Sequence, residues 1–175
     1  TSGLDLYELK HVFRNEPIGR HHHPEFTLVE WYRQGFDDHQ LMSEVAELIN
    51  LLLDQSLSVE TLTFDDAFKQ YLNIDLTQVT DAQLVEMAAT KVNYQGSDVT
   101  RQTLIDLLMG SVVGPQLGHS AITFITDYPI EQAALAKPRV SRAHVAARFE
   151  AYYRGIELCN GFDELNNAHE QRRRF

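Results

Sequence analysis

Two stretches concentrate the side chains that could do chemistry. In the first, Arg14-Asn15-Glu16 is followed by Arg20, by the consecutive His21, His22 and His23, and by Glu25-Phe26. A guanidinium group can grip a phosphate through paired hydrogen bonds. A carboxylate in the same loop can accept from an exocyclic amine, and a phenylalanine can stack on a base. Those parts suffice to hold a nucleoside triphosphate without a glycine-rich loop, and the sequence contains no P-loop. Composition alone equally allows a surface ion pair between Arg14 and Glu16 in a plain connecting loop. Adjacent side chains of an extended segment point to opposite faces, so the three histidines are poorly spaced to share one metal.

The second stretch is GIELCNGFDEL, with Glu157, Asn160 and Glu164. Two carboxylates seven residues apart converge if the chain turns at Gly161. Hard oxygen ligands of this kind suit Mg²⁺ bridging to substrate phosphates, or a substrate ammonium group. A paired-acid hydrolase would use the same residue types, but nothing else in the chain resembles a sugar site. The plain alternative is two exposed acids on a turn. Cys159, the one cysteine, lies in an apolar segment with no Cys-His arrangement and reads as a buried, inert thiol.

The elements that must position these groups follow from periodicity and punctuation. Leu4 to Tyr7 reads as extended, RNEPIGRHHHPEF has loop chemistry, and FTLVEWYR (26–33) has the composition of a buried strand. Residues 5–33 are therefore two strands joined by a charged loop. Asp37 or Asp38 caps a helix whose apolar stripe is Leu41, Val45, Leu48, Ile49 and Leu52. Thr63 with Asp66 opens a helix to about Tyr71, and Thr80 with Gln83 forms a capping box for another to about Thr90. A fourth helix starts at Thr100 and breaks near Gly114-Pro115. Ala121 to Thr126 is extended, and ARFEAYYRGIELC reads as one long strand. The order strands, helices, strands predicts an α+β fold with an antiparallel sheet and flanking helices, not alternating βαβ units.

The bulk numbers fit one soluble domain. The chain has 175 residues, 43% apolar and 23% charged, with a net charge of −10. An acidic total speaks against a chain that wraps phosphate backbone, while the basic cluster in the first thirty-three residues fits a small anion. Arg172 to Arg174 read as a solvated tail. No apolar run approaches the ~20 residues of a membrane span, no signal pattern is present, and a lone cysteine fits a reducing compartment.

Together the two constellations resemble the class II lysyl-tRNA synthetase family. FRNEPIGRHHHPEFTLVEWYR (13–33) is similar to its motif 2, the ATP-binding strand-loop-strand. GIELCNGFDELNNAHEQRRRF (155–175) is similar to the segment that lines the amino-acid pocket and binds Mg²⁺. The span 37–115 corresponds to the helical connecting region, so residues 1–175 form part of one catalytic domain. EWYR at 30–33, the short passage into LTFDDAFKQYLNID and the stretch TFITDYPIEQAALA resemble most the subgroup of ligases that attach (R)-β-lysine to a lysine of elongation factor P.

The resemblance implies ATP and Mg²⁺ as cofactors and assigns roles. Arg14 holds the α-phosphate as the catalytic residue, and Glu16 faces the adenine amine. Asn15, His23, Glu157 and Leu158 also belong to the ATP site, and Phe26 stacks on the adenine. Tyr32, Asn160 and Glu164 contact the amino acid, with Glu157 and Glu164 at the metal. Ser2 corresponds to a substrate-contacting serine, although the family follows that serine with Pro-Glu and Gly3 follows here. Motifs 1 and 3 have no counterpart within residues 1–175, so this stretch alone is expected to be inactive, and the dimer expected of the family would form in the full-length protein. The implied location is the cytoplasm, the substrate (R)-β-lysine or lysine, and the acceptor elongation factor P. Two other readings stand beside this one: a lysyl-tRNA synthetase core that charges tRNA-Lys, and a non-catalytic synthetase-like binding module.

Overall fold

Asp37, Thr63, Thr80 and Thr100 each stand at the N-cap of a helix, as their side chains and spacing predict. The computed structural model describes residues 4–15, 18–19, 22–96, 99–133 and 135–174. The chain divides between Phe36 and Asp37 into two compact units.

The first unit is an antiparallel hairpin of β1 (Leu6–Phe13) and β2 (Glu25–Tyr32). Its open end is tied by Asp5, which accepts from the Gln34 amide at 2.8 Å and from Arg33 at 3.1 Å. The Gln34 hydrogen bond, aided by Arg33, holds the Asp5 carboxyl below the usual range. No residue of β2 is buried, contrary to the expectation from its composition. A two-stranded ribbon lacks a second layer, so its better face is only half covered.

The second unit carries a five-stranded sheet. Helix α1 (Asp38–Leu53) leads to β3 (Val59–Thr63), α2 (Phe64–Leu72), α3 (Asp81–Val92) and α4 (Arg101–Leu108). β4 (Ile122–Pro129), β5 (Pro138–Arg139), β6 (Arg142–Tyr153), β7 (Ile156–Phe162) and α5 (Ala168–Arg174) complete it. β4, β5 and β7 pair antiparallel with their neighbour β6, in line with the α+β reading. β3 was not anticipated, and it runs parallel to β4. The long crossover through α2, α3 and α4 allows that, since a parallel pair needs a dozen or more connecting residues.

The α1 capping box is complete: Asp37 accepts from Gln40 N at 2.8 Å, and Gln40 accepts from Asp37 N at 3.0 Å. The buried stripe of α1 is Met42, Val45, Ala46 and Ile49, while Leu52 is exposed. The helix is rotated from the expected face, because Met42 joins Val45, Ala46 and Ile49 at i, i+3, i+4 and i+7. α4 passes into one π-helical stretch (Met109–Val113) and a 3-10 turn (Gly114–Gln116), at the expected break. Phe64, Phe68, Leu84, Leu104, Leu108, Val113 and Leu117 from this region pack with Ile125, Tyr128 and Tyr152 of the sheet in one core. The helices are thus scaffold for one sheet face, while α1 packs against β6 and β7.

ARFEAYYRGIELC is a hairpin rather than one long strand. Arg154 (φ 52°) and Gly155 (φ 74°) form a two-residue turn between Tyr153 and Ile156, with both φ values positive. That is the backbone of a type I′ turn, whose twist matches the flanking strands. A Cβ on Gly155 would stand 2.7 Å from the Pro115 carbonyl oxygen, so space and torsion both require glycine there.

Candidate functional site

On the hairpin of the first unit, β1 and β2 pair Val12 with Phe26, Lys10 with Leu28, Glu8 with Glu30 and Leu6 with Tyr32. Directly opposed residues share a face, so Phe26, Glu30 and Tyr32 stand in one row. At its loop end the Arg14 guanidinium lies 5.2 Å from the centroid of the Phe26 ring, within reach of a cation–π contact. The Arg14 amide donates to the Pro24 carbonyl at 2.9 Å, which fixes where the loop leaves β1. Arg14, Asn15 and His23 are exposed. The row thus runs from a guanidinium over an aromatic ring, through Glu30, to the Tyr32 hydroxyl. Ser2, Glu16, Arg20 and His21 lie outside the described residues.

Glu30 was not singled out from sequence. It directly faces Glu8, an unfavourable like-charge pair that Lys10 bridges at 2.8 Å to each carboxylate. Both hydrogen bonds, the one to Glu30 first, push the Lys10 ammonium further above its ordinary range.

On β6 and β7 of the second unit the decisive feature is a bulge. Tyr152 pairs with Glu157, but Ala151 pairs with Cys159 and Glu150 with Asn160, so Leu158 is the extra residue. Without it, Glu157 and Asn160 would point to opposite faces. With it, Glu150, Tyr152, Glu157 and Asn160 share one face, which shows how a bulge re-aims a side chain. The register between β4 and β6 shifts as well. Asp127 (φ 57°) stands opposite two residues of β6, Ala147 and Arg148, and Tyr128 lies against the Arg148 guanidinium on the face of Glu150 and Tyr152. Asp127 is held there by Arg139 and Arg142, and Arg139 reaches on to Asp38 at 2.6 Å, at the start of α1.

The chain does not turn at Gly161. β7 continues to Phe162, and glycine is needed because a Cβ would stand 2.4 Å from the Phe149 ring. Seven extended residues at about 3.3 Å each place Glu157 and Glu164 roughly 20 Å apart along the strand direction. Glu164 sits just past β7, where Lys137 N donates to the Asp163 carbonyl at 2.8 Å and Leu165 N donates to the Leu135 carbonyl at 2.7 Å. The backbone of Glu164 is therefore pinned while its side chain is exposed.

Glu150 is the residue that sequence reasoning missed here. It is buried, with one oxygen accepting from Arg148 at 2.7 Å and the other from the Tyr152 hydroxyl at 2.6 Å. Burial, then the charge of Glu150, pushes the Tyr128 and Tyr152 hydroxyls up, so both stay protonated at neutral pH. The signal for Glu150 was the hairpin register, hidden because Arg154 is an uncommon first residue for a type I′ turn. Among the described residues no three His, Cys, Asp or Glu side chains cluster as a metal cage. One or two carboxylates completed by substrate phosphates are the usual Mg²⁺ arrangement; Glu157 is exposed, whereas both oxygens of Glu150 are already engaged by Arg148 and Tyr152.

Cys159 is half-buried, and burial, with the charge of Glu157 behind it, pushes its thiol up to about 12. Only about one thiol in ten thousand is then ionised at pH 8. Iodoacetamide labelling of the native protein is expected to be slow at pH 8 and to accelerate as pH rises toward 12. Labelling as fast as that of free cysteine would show an activated thiol. Of the terminal arginines, Arg172 and Arg173 are exposed, while Arg174 is anchored: it pairs with Glu170 at 3.0 Å and reaches the Ala136 carbonyl at 2.8 Å.

The family model for class II tRNA synthetases (D, K and N) matches residues 1–175, the whole chain. The chain belongs to this family. It is 44% identical over 172 residues to proteins called elongation factor P–(R)-β-lysine ligase from Enterobacter sp. (strain 638) and Sodalis glossinidius. The same identity over the same length holds for the ligase of that name from Klebsiella pneumoniae. Each match covers 97% of this chain and 53% of the relative, so the chain spans about half the length of the curated relatives it matches. No helix among the described residues is long and apolar enough to cross a membrane.

Proposed function

We propose that this chain is part of the catalytic domain of an ATP-dependent ligase that activates (R)-β-lysine and transfers it to a lysine of elongation factor P. The observation that carries the reading is the alignment of ligases of that name over 97% of the chain, a span that includes both clusters described above. An acidic chain, with 25 acidic and 15 basic side chains, also fits a protein acceptor better than tRNA. A cytoplasmic location and a dimer of the full-length protein accord with this role.

A carboxylate oxygen of the amino acid attacks the α-phosphorus of ATP. The bond from that phosphorus to the bridging oxygen breaks, and pyrophosphate leaves. The ε-amine of the acceptor lysine then attacks the carbonyl carbon of the adenylate, an amide forms, and AMP departs as the amine loses its proton. No enzyme nucleophile is required, which agrees with the inert Cys159. Arg14 binds the α-phosphate and offsets the charge that grows on it, with Phe26 stacked on the adenine and Glu16, Asn15 and His23 completing the nucleotide contacts. Mg²⁺, which Glu157 would help to hold with Leu158 at the same bulge and with Glu164 as the second carboxylate the resemblance gives, would neutralise the triphosphate. Glu164 takes a substrate ammonium, with Asn160, Tyr32, Glu30 and Ser2 as further contacts to the amino acid.

The test is Glu164→Ala in the full-length protein. The KM for (R)-β-lysine in pyrophosphate exchange is expected to rise about tenfold or more while the KM for ATP changes little, as for loss of a charged hydrogen bond to substrate. Wild-type use of (R)-β-lysine by the variant would remove Glu164 from the amino-acid site.

A further inference from the structure

Among the described residues, three side chains between Phe26 and Tyr32 on their face of the ribbon carry charge: Glu8, Lys10 and Glu30. Glu8 and Glu30 stand directly opposite each other, and the Lys10 ammonium lies 2.8 Å from the Oε2 atom of each. Lys10 follows Glu8 by two residues and is a diagonal neighbour of Glu30, so one conformation reaches both acids. The hydrogen bonds to Glu30 and then Glu8 keep the ammonium charged at any working pH. Asp5 and Arg33 pair with each other at the open end of the ribbon. The cluster is thus left with one negative charge, because two acids share one cation. The side chains of Glu8, Lys10 and Glu30 are 62%, 39% and 38% exposed, so none of them fills a core and water weakens each contact.

Two carboxylates that share one ammonium attract a second one, which would complete the set as two cations on two acids. Were Glu8 neutral, Lys10 would belong to Glu30 alone, and an arriving ammonium would meet a pair with no net charge. We propose that Glu8 is a positioning residue which, by holding a share of Lys10, keeps on Glu30 the negative charge that receives an ammonium group of the amino acid. The inference rests on the reading of Glu30 as a contact to the amino acid. Glu8 itself need not touch the substrate. Its effect passes through Lys10, so removing Lys10 together with Glu8 leaves Glu30 as negative as the intact cluster.

The experiment is pyrophosphate exchange by the full-length protein, with KM measured for (R)-β-lysine and for ATP in Glu8→Gln and in the double variant Glu8→Gln with Lys10→Met. Glu8→Gln is expected to raise the KM for (R)-β-lysine by about fivefold, the upper end for a contact between exposed charges, while the KM for ATP changes little. The double variant is expected to return the KM for (R)-β-lysine close to the wild-type value. A merely structural role for the cluster would give the opposite order, with the double variant no better than the single one. That order, or an unchanged KM in Glu8→Gln, would overturn the proposal. Glu30→Gln separates the two claims. If it raises the KM for (R)-β-lysine by about tenfold, as for loss of a charged hydrogen bond, while Glu8→Gln has no effect, Glu30 keeps its role and Glu8 loses the one proposed. If Glu30→Gln leaves that KM unchanged, the reading of Glu30 falls and the proposal falls with it. No exchange with (R)-β-lysine by the wild-type protein would remove the ligase reading and the proposal together.

Discussion

Replacing Arg14 by alanine in the full-length protein is expected to slow adenylate formation by about two or more orders of magnitude, the usual effect of removing one group that stabilises developing charge. The loss should appear in kcat more than in the KM for ATP, because charge on the α-phosphate grows as the carboxylate attacks. Arg14→Lys should recover only part of the rate, since an ammonium keeps the charge but not the planar fork. The stacking of Arg14 on Phe26 adds a second expectation. Phe26→Ala should raise the KM for ATP while leaving kcat closer to wild type. Pyrophosphate exchange at the wild-type rate in Arg14→Ala would remove the residue from the phosphate site.

Arg139→Ala carries the largest expected effect on stability. Arg139 joins Asp38 and Asp127, whose side chains are only 3% and 8% exposed, and its own is 17% exposed. Removing the guanidinium leaves two buried carboxylates with too little positive charge, since Arg142 contacts Asp127 alone. Breaking a buried pair from one side typically costs about 3–5 kcal/mol. Urea unfolding of the variant should show a loss of that order, and a loss below about 1 kcal/mol would mean that the network is not holding the register shift at Asp127.

Much of the architecture was legible because its signals are local. Capping residues marked the starts of all four helices of the connecting region, and Gly114-Pro115 marked the end of the last. What escaped was set by pairing across the sheet. β3 is five residues long with no buried member, so its sequence carries little apolar pattern. The hairpin of β6 and β7 looked like one strand because Arg154 disguises the turn. The bulge at Leu158, invisible without the register, decides which side chains share a face with Glu157. Of the candidate site residues, Arg14, Phe26 and Tyr32 could be placed on one ribbon by counting in twos. Glu30 sits in that same row, but a lone carboxylate in a strand carries no sequence signal that separates a ligand from a solvated side chain. Glu150 required the bulge and the turn together, and the condition for Glu157 and Glu164 to converge, a turn at Gly161, is not met because that glycine serves the Phe149 ring rather than a bend.

The amino acid and its acceptor are both read out by ATP–pyrophosphate exchange of the full-length protein with lysine and (R)-β-lysine, followed by transfer of the labelled amino acid to elongation factor P or to tRNA-Lys. Faster exchange with (R)-β-lysine and label on elongation factor P is the predicted result. Exchange with lysine and label on tRNA-Lys would make the protein a synthetase, and no exchange with either amino acid would contradict an enzymatic role altogether.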